Sequence, residues 1–403
     1  CEPLLLFVDA EFQQNLQGRS EQLPSVISRF NLKEDQGTFT SFKELQKGGT
    51  PVAPADVEST DGFVIIHTAA VAGRPRGALL SHENVLLANF HFSYYLKLTE
   101  EDVHLNLLPL FHVGGLFLAT STFHAGGTNV NVSKFDAAVA ARLIEEKGVT
   151  LFFDFPPILD SILNAAAEEG RDLSTLSNVV GLGTPEVIER FQSVSGGSYH
   201  VMYGQTETSC LATIGRYDDR PGSAGKAIML ADVQLVDEYD RVVAPGEVGE
   251  ITLRGPMVFL GYWGLPQDND YTFREGRHHT GDLGRFDSEG FLFYAGRKAE
   301  KELIKPGGEN VYPAEVEKVI LLHPAVEQTV VIGVPDPKWK EGIKAVCQLK
   351  ENEHLDAAEL IAFVGDRIAR FKKPQYVEFV KYIPLKADGA IDRQKVKELY
   401  GKA

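Results

Sequence analysis

Cysteine is nearly absent: 403 residues hold three, the widely separated Cys1, Cys210 and Cys347. So sparse a set excludes a disulfide framework and a thiolate metal site. It fits a reducing compartment, which makes a cytoplasmic location the expectation. Positive charge is also in deficit. Forty Lys and Arg stand against 56 Asp and Glu, a formal net charge of −16, which excludes a nucleic-acid binder relying on a general positive field. An anionic small molecule stays compatible, because local amides, cations and a divalent ion outweigh a distant negative background. Long apolar runs are missing as well. The candidates around Asn106–Leu110 and Val330–Val334 are strand-sized, far from the ~20 residues of a membrane-spanning helix, and no charged-then-apolar leader opens the chain. In that setting the sequon Asn131-Val132-Ser133 is read as fortuitous. The Gly-Lys-Ser/Thr ending of a Walker loop is absent too, which excludes a P-loop NTPase.

What is present is length and alternation. A chain of 403 residues exceeds one hydrophobic core, so two or three domains are expected. Strand-like runs at Leu4–Val8, Phe63–His67, Leu105–Leu108 and Thr150–Phe153 alternate with helix-like stretches at His82–Tyr95, Phe135–Glu146, Ile158–Glu169 and Pro185–Phe191. That order predicts an α/β fold with a mostly parallel sheet. Residues 16–60 are polar with little periodicity and read as surface loop. Short strands with Gly/Pro turns over Val233–Gly261 predict a small β-rich subdomain. After Gly296-Arg297 the pattern changes again: helix Pro313–Leu322, strands Thr329–Gly333 and Ala345–Leu349, helix Asp356–Phe371, strand Tyr376–Val380. The expected division is a large domain, 1–297, and a small α+β domain, 298–403.

Three short stretches carry chemistry. Tyr203-Gly204-Gln205-Thr206-Glu207 places an aromatic ring, a hydroxyl and a carboxylate together, a set able to hold adenine, phosphate and Mg²⁺. An ordinary turn with a solvated Glu207 is the competing reading. Thr280-Gly281-Asp282 offers a carboxylate suited to a ribose diol, against the alternative of a surface salt bridge. The third is Gly307-Gly308-Glu309-Asn310-Val311-Tyr312-Pro313-Ala314-Glu315-Val316-Glu317. A further segment, His67 to Gly77, follows a strand. Successive amides in such a turn form an anion nest, although a plain turn between strand and helix fits equally.

In this order and spacing the stretches resemble the adenylate-forming superfamily, and the third looks most like its acyl-CoA synthetases. The resemblance runs from about Phe63 to the C-terminus, and it implies a further segment ahead of Cys1. It also implies roles. Thr68, Gly73 and Arg76 would cradle ATP phosphates, with Arg76 where the family has Lys, and with Ala69 to Ala72 removing hydroxyl donors. Tyr203 would stack on adenine, Thr206 bond the α-phosphate and Glu207 ligate Mg²⁺. Asp282 would hold the ribose, and Arg297 would reach ribose or phosphate. His112, in Pro109-Leu110-Phe111-His112-Val113-Gly114-Gly115, would sit beside the substrate carboxylate, its glycines letting substrate near the backbone; a packed histidine is the alternative. Gly181-Leu182-Gly183-Thr184 matches loosely the segment beside adenine and the acyl group. Gly307, Gly308 and Glu309 would line the coenzyme A tunnel after a hinge at Lys298–Lys301 swings the small domain. Arg370, Lys372 and Lys373 either meet the CoA phosphates or form a solvated helix end. The family's adenylation lysine falls on Ala390, which carries no charge.

The resemblance thus implies an AMP-forming acyl-CoA synthetase using a carboxylic acid (fatty acids ahead of aryl acids), ATP, Mg²⁺ and coenzyme A. A nucleotide- or acyl-binding paralogue with impaired catalysis, and an adenylating enzyme with another acceptor, stay open.

Overall fold

The computed structural model describes residues 3–9, 12–13, 16, 25–32, 39–47, 49, 53–71, 74–237, 240–297, 304–309, 311, 313–385 and 391–402. They fall into two compact units, Cys1–Glu58 and Ser59–Ala403. In the first, β1 (Leu5–Val8), β2 (Ser28–Asn31) and β3 (Thr40–Ser41) form a parallel sheet, followed by α1 (Lys43–Gln46). The ring of Phe7 stacks on Phe30 at 5.3 Å and meets Phe42 edge-on at 5.8 Å. The surface loop expected over residues 16–60 is therefore corrected. Strands this short carry no readable alternation, and they exist because a distant strand supplies backbone partners.

The second unit opens with β4 (Gly62–Val71) and β5 (Arg74–Ser81), paired as an antiparallel hairpin. This differs from the strand, loop and helix expected there. Ala69, Ala70 and Val71 lack the glycine and hydroxyls of a mobile loop, and the strand continues through them. The helix α2 (His82–Leu96) then starts on a capping box: Ser81 Oγ accepts from the Asn84 amide at 3.1 Å, and Asn84 Oδ1 accepts from the Ser81 amide at 2.9 Å.

Next come β6 (Val103–Asn106), α3 (Val113–His124), β7 (Thr128–Asn131), α4 (Ala137–Lys147), β8 (Leu151–Asp154), α5 (Ile158–Glu169), β9 (Asn178–Gly181), α6 (Pro185–Ser195), β10 (Ser198–Tyr203), β11 (Thr213–Arg216) and β12 (Lys226–Ala227). They build a seven-stranded sheet in the order β12-β11-β10-β9-β8-β6-β7, in which only β11 runs against the other strands. Both faces are covered. Leu151 and Phe153 join Phe92 and Phe117 in one core, while Phe152 joins Ile144, Ile162 and Phe191 in the other. Alternate side chains of one apolar strand thus serve opposite layers, which is why such strands read as unbroken apolar runs.

The small β-rich part is a five-stranded antiparallel sheet. Its strands are β13 (Asp232–Val236), β14 (Gly249–Arg254), β16 (Phe273–Arg274), β17 (Arg277–Phe286) and β18 (Leu292–Arg297). It reaches well beyond the expected Gly261. Within that span β15 (Gly261–Tyr262) leaves to pair with β5, and α7 (Pro266–Thr272) follows it.

The C-terminal part has α8 (Pro313–Ile320), β19 (Val326–Asp336), β20 (Lys340–Leu349), α9 (Ala357–Gly365), β21 (Tyr376–Val380) and α10 (Arg393–Tyr400), with sheet order β19-β20-β21. The helix expected to run to Phe371 stops at Gly365, a poor helix former. Arg370–Lys372 is a separate 3₁₀ turn ahead of Pro374. The unforeseen α10 is capped by Asp392, which accepts from the Lys395 amide at 3.0 Å. Residues 298–303, where the domain boundary and hinge were expected, lie outside the described residues, as do Gly73 and Ala390.

Candidate active site

A cavity of about 610 Å³ opens at the carboxyl ends of β8, β9 and β10, the position where parallel α/β sheets bind ligands. Of the residues singled out in the sequence, Thr68, Arg76, His112, Tyr203, Thr206, Glu207, Asp282 and Arg297 line it. Gly307 to Glu309 are not among its lining residues, but their neighbour Lys305 is.

Tyr203 ends β10, and Asp282 lies on β17, two sheets brought together by the fold. The Tyr203 hydroxyl donates to Asp282 Oδ2 at 2.8 Å, and the Gln205 amide donates to the same oxygen at 2.5 Å. Arg297 Nε pairs with Asp282 Oδ1 at 2.8 Å. The salt bridge considered for these residues is therefore real, but it is buried at the cavity rather than on the surface. Burial and the neighbouring carboxylate hold the Tyr203 phenol well above its ordinary pKa, so it stays a hydrogen-bond donor. Its ring also stacks on Tyr294, centroids 6.3 Å apart.

Glu207 stands on a single 3₁₀ turn, Thr206–Thr208, closed by Gln205 and Thr208. Its carboxylate is buried, which removes the solvated-turn alternative, and Oε1 accepts from the Tyr262 hydroxyl at 2.6 Å. The Arg76 guanidinium lies over the Tyr262 ring at 4.0 Å and pairs with Asp268 at 3.3 Å. On the hairpin, Thr68 sits opposite Arg76 and its hydroxyl donates to the Arg76 carbonyl at 3.3 Å. The segment expected to cradle phosphates is thus two facing strands with Arg76 at the cavity, where successive amides in a turn were expected; residues 72–73 between the strands lie outside the described residues.

His112 caps α3: its Nδ1 accepts from the Gly114 amide at 3.2 Å. Burial, and then the charge of Lys305, hold its pKa below the usual histidine value. The neutral ring so fixed carries its proton on Nε2. Gly115 does not serve substrate approach as expected. A Cβ there would meet the Pro109 carbonyl oxygen at 2.5 Å, so its role is to seat α3 on the preceding turn. Lys305 is half-buried, and the desolvation lowers its pKa. Arg297 lowers it further, while Asp282 and Glu341 oppose the shift.

Tyr262 was not singled out by sequence reasoning, and Lys305 and Gln205 stood in quoted stretches without a role of their own. Lys305 had a signal in its place at the head of the glycine stretch and Gln205 in its place within the Tyr203–Glu207 stretch; Tyr262 had none. Lys372, weighed as a CoA contact, instead donates to both Glu315 oxygens at 2.7 and 2.8 Å. In sum, a cavity within a chain of net charge −16 is edged by Arg76, Arg297 and Lys305, with acceptors at Glu207 and Asp282 and an apolar wall at Val113, Phe153 and Met202. Such an arrangement suits an anionic, partly aromatic ligand joined to an apolar group.

Residues 1–263 match the family model for AMP-binding enzymes, and residues 315–390 match that for the AMP-binding enzyme C-terminal domain. The chain is 34% identical to an indoleacetate–CoA ligase of Aromatoleum aromaticum, over 100% of this chain and 80% of that protein. It is 33% identical to a long-chain-fatty-acid–CoA ligase of Bacillus subtilis, over 96% of this chain and 70% of that one. A crystal structure of a provisionally assigned long-chain-fatty-acid CoA ligase from Rhodopseudomonas palustris is 45% identical. It superposes with a TM-score of 0.70, covering 73% of this chain and 74% of the other.

Proposed function

The chain belongs to the AMP-binding enzyme family, and from that premise we propose that it is an ATP-dependent acyl-CoA synthetase acting on a fatty acid. The observation that carries this reading is the cavity itself. A ribose-type carboxylate (Asp282), a buried carboxylate (Glu207), a neutral histidine (His112) and an apolar wall surround one space. Fatty acids are favoured because that wall has no charged side chain at Val113, Phe153 and Met202, and because two of the similar proteins carry long-chain-fatty-acid names.

In the first step a carboxylate oxygen bonds to the α-phosphorus of ATP and the bond to pyrophosphate breaks. In the second the CoA sulfur bonds to the acyl carbon and AMP leaves. His112 Nε2–H is the donor for the substrate carboxylate, Thr206 for the α-phosphate, Asp282 and Arg297 hold the ribose, and Tyr203 flanks the adenine. Arg76 and Thr68 serve the outer phosphates. Mg²⁺ fits the donor set. Among the described residues no three His, Cys, Asp or Glu gather as a metal cage, and Mg²⁺ usually takes one or two carboxylates with phosphate oxygens and water. Glu207 is the carboxylate, and the Tyr262 hydroxyl fixes its orientation. When bound, the ion neutralises phosphate charge. The division into 1–297 and 298–403, a hinge at Lys298–Lys301, and a cytoplasmic location belong to the same proposal. Cys210 and Cys347 are free and buried, as a reducing compartment requires.

Pyrophosphate release over a panel of acids, with acyl-CoA identified by mass, tests the reading; no release with any acid rejects it. Transfer to a carrier-protein thiol in preference to CoA favours the non-CoA acceptor. A second reading, a nucleotide-binding paralogue with impaired catalysis, is favoured by Ala390 and by the hairpin's missing hydroxyls. Its mark is ATP binding by calorimetry without pyrophosphate.

Two results are expected. Asp282→Asn keeps the shape but loses the charge, and weakens AMP binding by about 1.5–3 kcal/mol, the worth of a hydrogen bond to a charged group; an unchanged Kd removes Asp282 from the ribose. Gly308→Trp, beside the Lys305 that lines the cavity, abolishes conversion of supplied acyl-adenylate and CoA to thioester while sparing pyrophosphate release. Equal loss of both steps indicates misfolding.

A further inference from the structure

Behind the cavity runs a buried polar chain that the steps above do not use. Asp154 ends β8 and is 1% exposed; Tyr199, on β10, is 0% exposed. The Tyr199 hydroxyl donates to Asp154 Oδ2 at 2.8 Å and accepts from the Gly183 amide at 2.5 Å. Asp154 Oδ1 accepts from the Leu159 amide at 3.0 Å, fixing the carboxylate to the start of α5. Gly183 lies in the connection from β9 to α6, and Gly181, Leu182 and Gly183 form part of the cavity wall. The wall rests directly on the phenol: a Cβ at Gly183 would meet the Tyr199 oxygen at 2.8 Å and Ile188 at 2.9 Å.

Burying a carboxylate beside a phenol is costly unless both are fully hydrogen-bonded, and an apolar pair would fill the space at lower cost. What the polar pair adds is direction. Tyr199 has one proton; an ionised Asp154 takes it, which leaves a lone pair for the Gly183 amide. The amide is thereby held in one place. Lys340, at the start of β20, borders the same spot with Asp154, Asp160, Gly183 and Thr184, and its charge favours the ionised carboxylate. Asp160 opposes it, and Asp160 is itself paired with Arg190 at 3.4 Å.

We propose that Asp154 and Tyr199 are positioning residues for the acyl-adenylate site, setting the Gly181–Thr184 wall against bound substrate, with Lys340 steadying the charge that orients them. The inference rests on reading the cavity as an acyl-adenylate site. Burial, the dominant influence, lifts the Asp154 carboxyl to about 6 against the pull of Tyr199, Leu159 and Lys340. A group raised in this way is ionised above that value and protonated below it. Wall order is therefore kept above about pH 6 and lost as pH falls through it.

The test uses the full chain as wild type, Tyr199→Phe and Asp154→Asn. Amide hydrogen exchange is followed over residues 181–184, and Kd is measured for AMP and for octanoyl-sulfamoyl adenosine from about pH 5 to about pH 8. Tyr199→Phe lowers the thermal midpoint by leaving Asp154 Oδ2 unpaired, and is expected, well below that midpoint, to speed exchange at 181–184 ahead of the rest of the chain and to weaken the analogue about tenfold, the worth of one hydrogen bond. Wild-type Kd for the sulfamoyl analogue, which has no phosphate to titrate, rises as pH drops through about 6, and Asp154→Asn removes the part of that rise centred there. Unchanged exchange and Kd in Tyr199→Phe overturn the inference. So does faster exchange spread over the whole chain, which marks a merely structural role, or a wild-type Kd that is flat with pH. Wild-type protein that binds neither AMP nor the analogue instead overturns the acyl-adenylate reading itself.

Discussion

Glu207→Gln is expected to lower Mg²⁺-dependent pyrophosphate release by about 10²–10³-fold, the usual loss when one preorganised electrostatic partner is removed. The amide keeps the size of the side chain and can still accept from the Tyr262 hydroxyl, now 2.6 Å away, so the fold is retained. What it lacks is the charge that a hard divalent ion requires. Steady-state rates over a Mg²⁺ titration measure the effect, with circular dichroism as the check on folding. A variant with the wild-type Mg²⁺ midpoint and rate would remove Glu207 from the metal.

The second large effect concerns Ala390. The resemblance places a lysine there, where its charge would offset the repulsion between substrate carboxylate and α-phosphate. Alanine supplies none, so the chain is expected to make acyl-adenylate slowly yet convert supplied acyl-adenylate and CoA to thioester. Ala390→Lys then raises pyrophosphate release by about 10²–10³-fold, the scale of one well-placed charge, and leaves the thioester step alone. The cavity holds a rival cation in Lys305, whose charge already acts on His112. No gain from Ala390→Lys, together with collapse of pyrophosphate release in Lys305→Met, would transfer the role to Lys305. No gain and no collapse would make the phosphate hairpin the limiting element.

Local signals were the legible ones. The bounds of α5, Ile158–Glu169, and of β21, Tyr376–Val380, are those the sequence predicted, because strong patterning between clear breakers leaves little choice. The hairpin was misread because Gly73, Pro75 and Gly77 punctuate like a loop, while pairing across to Arg74–Ser81 decided the outcome. Of the site, Tyr203, Glu207 and Asp282 were legible as motifs, but their relations were not. Gln205 reaches Asp282 across 77 positions and Tyr262 reaches Glu207 across 55, separations that no local pattern encodes. Lys305 was hidden differently: it stands beside glycines that took the attention, and only its place on the cavity with Arg297 and Asp282 sets it apart.

The paired arms of β4 and β5 have one more consequence. A glycine-rich loop gives up conformational freedom when it closes on a nucleotide, at roughly 1–2 kcal/mol for each backbone residue fixed. Here Thr68 and Arg76 are already opposed in a ladder, so that freedom is surrendered during folding rather than at each encounter. On the proposed nucleotide role, these paired arms form a preformed seat, with less entropy to lose on capture and less to regain on release. Nucleotide exchange at such a seat is governed by how many contacts it makes, not by how fast a flap opens.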